Sequence, residues 1–275
     1  TTTCGPAPES GHYVVWRDHM STKGYSPDKN YLVRMENITK KFGTITALQE
    51  VNFGVEAGEV RALLGDNGAG KSTLIKILMG VYQPTTGQIF FENKPVKITS
   101  PREARLIGIE AVYQDLALIN LMSISRNFFL GREIVKSLGP IHWLDMRQMN
   151  DLCRKSLHDI GIEIRSASER VGSLSGGERQ SIAIGRGVHF GAKVLILDEP
   201  TSALSVAETR KVLTYITNAR ERGLAVIFIT HNVHHVYMVA DSYTIIRHGQ
   251  HVGTYYKGEL SENDIADLIT GDRES

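Results

Sequence analysis

Cysteine is almost missing from this chain: only Cys4 and Cys153 occur among 275 residues. That excludes a disulfide framework and makes a reducing compartment the natural expectation. Long apolar runs are missing as well. The best candidates, residues 194–197 and 224–229, have the length of strands and fall well short of the ~18 residues a membrane helix needs. Work at a membrane would therefore go through a partner. No basic segment followed by an apolar one stands at the start of the sequence, so no secretory signal is read there. Charge of one sign is not in excess: 31 Lys and Arg face 30 Asp and Glu, for a net +1, which gives no electrostatic reason to expect nucleic acid as the main partner. There is no internal repeat and no low-complexity tract. A hydrophobic content of 41% and a charged content of 22% are ordinary for a globular protein. The length allows one large domain or two small ones.

What the chain does have is Leu63-Leu64-Gly65-Asp66-Asn67-Gly68-Ala69-Gly70-Lys71-Ser72-Thr73, which fits G-x-x-x-x-G-K-[ST] at every required position. The context agrees. Residues 60–64 read as a short buried strand, and residues 71–79 as a helix with Leu74, Ile75, Leu78 and Met79 apolar, ended by Gly80. Gly65, Gly68 and Gly70 let the backbone turn tightly enough for its N–H groups to surround phosphate oxygens, and the helix N-terminus adds partial positive charge. Lys71 would reach the β- and γ-phosphates, and the Ser72 hydroxyl would ligate Mg²⁺.

The rest of the chain is organised around that unit. Residues 1–30 read as a mobile segment in which Met20 looks like a start, leaving residues 1–19 upstream. Residues 31–37, 44–55 and 87–97 alternate as strands, the last with its turn at Asn93-Lys94-Pro95, and suggest a small antiparallel sheet. Residues 109–113 form a second core strand ending at Gln114. The block from about 115 to 175 reads mostly as helices, with an amphipathic stretch over 145–160 carrying Leu152, Ser156, Leu157 and Ile160. It is taken as a helical subdomain inserted into an α/β core. Residues 194–197 and 224–230 read as strands buried on both faces, residues 206–222 as a helix, and residues 272–275 as a tail.

The strand at 194–197 ends abruptly in Asp198-Glu199-Pro200. Asp198 at the strand tip can hold Mg²⁺ beside phosphates. Glu199, one residue further on, can orient or deprotonate an attacking water.

With Leu174-Ser175-Gly176-Gly177-Glu178 added, the sequence resembles the ATP-binding cassette (ABC) ATPases over residues 31–271. The resemblance implies an α/β phosphate-loop NTPase (RecA-like) core with an antiparallel β subdomain and an inserted α-helical subdomain. It also implies that the signature at Ser175, Gly176 and Gly177 closes on the γ-phosphate held by a second nucleotide-binding domain, so that two sites form in a head-to-tail dimer. A helix N-terminus with a Gly-rich approach has the right chemistry for that role. Carried over residue by residue, Phe42 matches the aromatic that stacks on adenine. Gln114 matches the glutamine that approaches Mg²⁺ and hinges the helical subdomain. His231 matches the histidine that contacts the γ-phosphate. Ser205 departs from the pattern, because most ABC ATPases have Asp there, bridging the two monomers.

Ser100-Pro101-Arg102-Glu103-Ala104, Ala111-Val112-Tyr113-Gln114-Asp115-Leu116-Ala117-Leu118, Phe129-Leu130-Gly131-Arg132-Glu133 and Leu268-Ile269-Thr270-Gly271 look like the ATP-binding subunits of bacterial monosaccharide importers. Replacement of the bridging Asp also occurs in that group. A single phosphate loop and a single signature most resemble the single-cassette fructose-import type. The implied function is hydrolysis of ATP, with Mg²⁺, to power sugar import. The implied partners are a second cassette, membrane permease subunits and, indirectly, a periplasmic sugar-binding protein. The implied place is the cytoplasmic face of a bacterial inner membrane. A soluble cassette acting on nucleic acid is the alternative, and a cassette of another transporter class a second. The apolar residues Leu116, Leu118, Ile119, Leu121, Met122, Phe128 and Phe129 are expected to form a surface that receives a helix of the permease, with Leu118 and Met122 as its test positions.

Overall fold

The computed structural model describes residues 24–26, 29–139 and 141–271. Met20, most of the expected mobile segment and the tail at 272–275 lie outside these residues. Within that segment, residues 24–26 and 29–30 rest against the sheet instead. Tyr25 stacks on Tyr31 with ring centroids 5.7 Å apart, and Lys29 Nζ lies 3.4 Å from Glu56 Oε1.

β1 (Tyr31–Phe42) and β2 (Ile45–Glu56) pair as a long antiparallel hairpin, with Tyr31, Val33 and Met35 buried on the inward face. β3 (Val60–Leu64) is buried at every position, Arg61 included. That cation is held inside by Glu59, whose Oε1 accepts from Nη2 at 2.8 Å and Nε at 3.1 Å. α1 (Lys71–Leu78) follows directly, and Gly80 (φ 70°) turns the chain away after it. β4 (Thr86–Phe91) and β5 (Lys94–Val96) are joined through Glu92 and Asn93, both at positive φ. The turn is thus one residue earlier than its Pro suggests. Lys94 and Pro95 begin the edge strand, where proline is tolerated. α2 (Pro101–Leu106) is capped by Ser100. β6 (Ile109–Val112) then enters the core.

The inserted block contains α3 (Ile124–Phe128) and α4 (Met146–Asp159). It also contains a hairpin of β7 (Val135–Leu138) and β8 (Ile141–Leu144), where the sequence reads as helix. The hairpin is short and largely exposed, so it leaves no buried-strand pattern to detect. The buried stripe of α4 is Met149, Cys153 and Leu157, continued by Ile160; Leu157 and Ile160 lie on the expected face, whereas Leu152 and Ser156 are only partly buried beside it. α5 (Gly176–His189) leads back to β9 (Val194–Asp198), α6 (Val206–Glu221), β10 (Ala225–Ile229), α7 (Val233–Val239), β11 (Ser242–Arg247), β12 (Gln250–Tyr256) and α8 (Glu262–Thr270).

The strands form a four-stranded antiparallel sheet, β2-β1-β4-β5, and a six-stranded sheet, β12-β11-β3-β10-β9-β6, parallel except for β12. One core packs α1 between the two sheets. A second lies between the six-stranded sheet and α5, α6 and α8, and a third belongs to the helical block around Ile124, Phe128, Cys153 and Leu157. The parallel strands all point their C-terminal ends to the same edge. In open α/β sheets that edge is where ligands bind.

Candidate phosphate-binding site

Four strand ends meet at that edge. Register places Ile229 of β10 opposite both Leu63 of β3 and Asp198 of β9, and Val112 of β6 opposite Leu197. The loop after β3 therefore lies beside Asp198 and Glu199, with Gln114 approaching from the outer strand. A cavity of about 310 Å³ is walled by Ala47, Asn67, Gly68, Ala69, Gly70, Lys71, Ser72, Thr73, Gln114, Asp198, Glu199 and Ile229.

The loop geometry depends on two glycines. Gly65 has φ 149°, and a Cβ there would come within 2.1 Å of the Ile246 carbonyl oxygen. Gly70 caps α1 at φ 107°, and a Cβ there would meet Leu48 at 2.7 Å. No other residue fits either position. Lys71 is 8% exposed, and its Nζ donates to the carbonyls of Gly65 at 2.6 Å and Asp66 at 3.0 Å. Burial pulls its pKa down, against the pull of Glu199, Asp66 and Asp198. Burial, with Glu199 close by, pushes Asp198 up, while Lys71 and Lys76 oppose it. The site thus balances one buried cation against an acidic pair.

Glu199 has φ 50°, a strained conformation for a residue with a side chain, of the kind that concentrates at working sites. Three contacts hold its carboxylate. Oε2 accepts from Thr230 Oγ1 at 3.0 Å, and Oε1 accepts from the His231 backbone N–H at 3.1 Å and lies 2.9 Å from His231 Nδ1. The His231 side chain is otherwise 70% exposed. Nothing in the sequence singles out Thr230 beyond a hydroxyl directly before His231 at the end of a buried strand.

Ser72, Gln114 and Asp198 are oxygen donors in the wall of the cavity, beside Asn67, Thr73 and Glu199, and as hard ligands they suit Mg²⁺. Among the described residues no group of three His, Cys, Asp or Glu side chains could hold a metal by itself. An ion here would complete its shell from phosphate oxygens.

Phe42 is not among the residues that wall this cavity. It lies at the end of β1, 41% exposed and edge-on to Tyr82 at 5.2 Å, with Lys40 Nζ 5.0 Å above its ring. Ser175, Gly176 and Gly177 also stand apart from it. Ser175 caps α5 through a capping box with Glu178, and the first turn of that helix lines a separate cavity with Glu208 and Tyr215.

A groove of about 510 Å³ runs between the strand edge and the helical block, lined among others by Tyr113, Leu116, Ala117, Leu118, Leu130 and Ala183. Phe128 and Phe129, expected on this surface, are buried in the helical core instead, and Met122 does not line the groove. Leu121 is 82% exposed. No helix among the described residues is long and apolar enough to cross a membrane.

Comparison with known proteins gives a consistent family. A family model described as ABC transporter matches residues 48–202. The chain is 43% identical to the xylose/arabinose import ATP-binding protein XylG of Sulfolobus acidocaldarius, over 87% of this chain and 94% of that protein. It is 42% identical to the fructose import ATP-binding protein FrcA of Rhizobium meliloti, over 88% and 95%. With the ribose import ATP-binding protein RbsA of Caldanaerobacter subterraneus it shares 36% identity, over 87% of this chain and 48% of that protein. Among solved structures, a nucleotide-free ATP-binding cassette from an ABC transporter superposes with a TM-score of 0.75 at 25% identity, over 86% of this chain and 96% of that one. A dimeric cassette in a post-hydrolysis state bound to ADP and Pi gives 0.68 at 25% identity, over 83% and 100%.

Proposed function

The chain belongs to the ABC transporter family, and from that membership we propose that it is the ATP-hydrolysing subunit of a monosaccharide importer. The observation that carries the chemistry is the single cavity uniting the phosphate loop with Gln114, Asp198 and Glu199. Backbone N–H groups of residues 65–73 and the N-terminus of α1 would take the phosphates, and Lys71 their β/γ charge. Ser72, Gln114 and Asp198 would hold Mg²⁺, which neutralises charge on the phosphates when bound. Glu199 is the general base: its carboxylate faces the cavity and is aimed by Thr230 and His231. His231 would reach the γ-phosphate, and Phe42 would stack on adenine.

The signature at Ser175, Gly176 and Gly177 does not line this cavity. A second copy of the cassette therefore supplies the cap for each γ-phosphate, in a head-to-tail homodimer. The groove beside β6 receives a segment of a membrane permease, which brings the chain to the cytoplasmic face of a bacterial inner membrane. A periplasmic sugar-binding protein would deliver the substrate from the other side. The two relatives matched along nearly their whole length are named for pentose and fructose import, which supports the sugar class.

Two measurements test this reading. The purified chain should hydrolyse ATP with Mg²⁺, and Lys71→Ala should abolish that turnover. Affinity capture of the tagged chain from detergent-solubilised native membranes should bring down a polytopic permease. An active ATPase that captures only soluble partners would overturn the importer reading.

A further inference from the structure

The signature helix of this chain already carries an anion of its own. The Gly177 backbone N–H, in the first turn of α5, donates to Glu208 Oε1 at 3.3 Å. Glu208 belongs to α6, where its other oxygen accepts from the Ser205 backbone N–H at 3.0 Å and from the Ser205 hydroxyl at 2.8 Å. One carboxylate thus bridges the N-termini of two helices of 14 and 16 residues, each of which attracts negative charge there. The approach is close: a Cβ on Gly177 would lie 2.9 Å from Glu208 Cβ and 3.0 Å from its Cγ. The Ser205 backbone and hydroxyl, then Ser175 and Gly177, hold the Glu208 carboxyl down to about 2, so it is ionised at any working pH.

Ser205 makes this arrangement possible. Its hydroxyl donates to the carboxylate, whereas the Asp found there in most of the family could not donate and would repel it. Ser205 caps α6 shortly after the turn at Glu199, which is closed by the Ser202 N–H and hydroxyl donating to the Glu199 carbonyl at 3.1 and 2.9 Å.

We propose that Glu208 is a latch on the signature, an internal anion that occupies the Gly177 N–H and must yield to the γ-phosphate presented by the second cassette. The inference rests on the reading that Ser175 and Gly177 receive that phosphate. It adds a threshold: ATP-driven pairing has to displace a carboxylate, and a partner that shifts α5 against α6 would lower the barrier.

The test is the dissociation constant of the ATP-bound dimer, measured by sedimentation at saturating ATP and Mg²⁺. The comparison is Glu199→Gln, in which hydrolysis is slowed, against Glu199→Gln/Glu208→Gln. Gln keeps the size of the side chain and its capping box with Ser205, so the fold is preserved, but it removes the charge. Two latches are lost per dimer, so the constant should fall by about three- to thirtyfold, the range for two charges at helix N-termini. A purely structural Glu208 would leave the dimer unchanged or weaker, and either result overturns the latch alone. Absence of ATP-dependent pairing in both variants overturns the site reading, and the latch falls with it.

Discussion

Nδ1 of His231 lies 2.9 Å from Oε1 of Glu199, and the His231 backbone N–H donates to that same oxygen. The end of β10 thereby holds the carboxylate that follows β9, with the histidine ring donating from Nδ1. Glu199→Gln keeps the shape and most hydrogen bonds but cannot accept a proton. Turnover should fall roughly 10²–10⁴-fold while ATP still binds. With ATP and Mg²⁺ this variant should elute as a dimer on gel filtration, whereas Lys71→Ala, which holds ATP poorly, should elute as a monomer. On the proposed reading, in which a permease holds the two cassettes close, the isolated wild-type chain should pair only briefly. Near-normal turnover in Glu199→Gln would sink the base assignment. A persistently monomeric ATP-bound variant would point to a different cassette as the partner.

Phe42 stands edge-on to Tyr82 rather than in the wall of the phosphate cavity. If it stacks on adenine, Phe42→Ala should weaken ATP binding by about 1–2 kcal/mol, near the scale of an aromatic contact. Phe42→Tyr or Phe42→Trp should largely restore it. Titration with a fluorescent ATP analogue decides the matter, and an unchanged affinity in Phe42→Ala would make the ring a turn residue paired with Tyr82.

How much of this was legible in the sequence depends on how local each signal is. The phosphate loop, Asp198 and Glu199 could be placed because an apolar strand ending in special residues reads the same in every context. The same holds for β3, β9 and β10. Arg61, fully buried in β3, shows the limit, since Glu59 two residues before it and the Tyr31 ring 5.7 Å away are what make that cation tolerable. The hairpin at β7 and β8 escaped notice because short exposed strands carry no hydrophobic period. Phe128 and Phe129 read as surface residues because the sequence cannot show which side of α3 and its C-cap faces the helical core. Glu208 was in plain view as Ser205-x-x-Glu208, a capping spacing. Its contact with Gly177 depends on how two helices pack, and no pattern along the chain reports that.

The groove beside β6 makes its own prediction. Leu118 is partly buried in its wall, and Ala117 is exposed at φ 49°. Leu118→Gln and Ala117→Glu should each reduce ATP-driven sugar uptake in reconstituted vesicles at least tenfold, through loss of apolar contact and burial of an unpaired charge. The ATPase rate of the isolated chain should change less than about twofold, since neither side chain reaches the phosphate loop. Met122, outside the groove, should tolerate substitution far better than Leu118. Parallel loss of transport and of isolated-chain turnover would show that these residues only hold the helical block together.

Thr230 offers the sharpest test of how Glu199 is aimed. Its hydroxyl donates to Glu199 Oε2 at 3.0 Å and accepts from the Asn232 N–H at 3.1 Å, while the residue is 1% exposed. Thr230→Val keeps the volume and the β-branched shape that suits a strand end. It leaves a carboxylate oxygen and a partly buried N–H each short of a partner, a cost of about 1–3 kcal/mol. Because the hydroxyl positions the base and touches no phosphate, the loss should fall on kcat, about 10- to 100-fold, with KM for ATP nearly unchanged. Thr230→Ser restores the hydroxyl and should recover most of kcat, although it loses a methyl. A fall in stability alone would leave kcat per folded molecule intact, and KM rising with kcat unchanged would place Thr230 in nucleotide binding. Either result, or a serine variant no better than valine, would remove Thr230 from the positioning of Glu199.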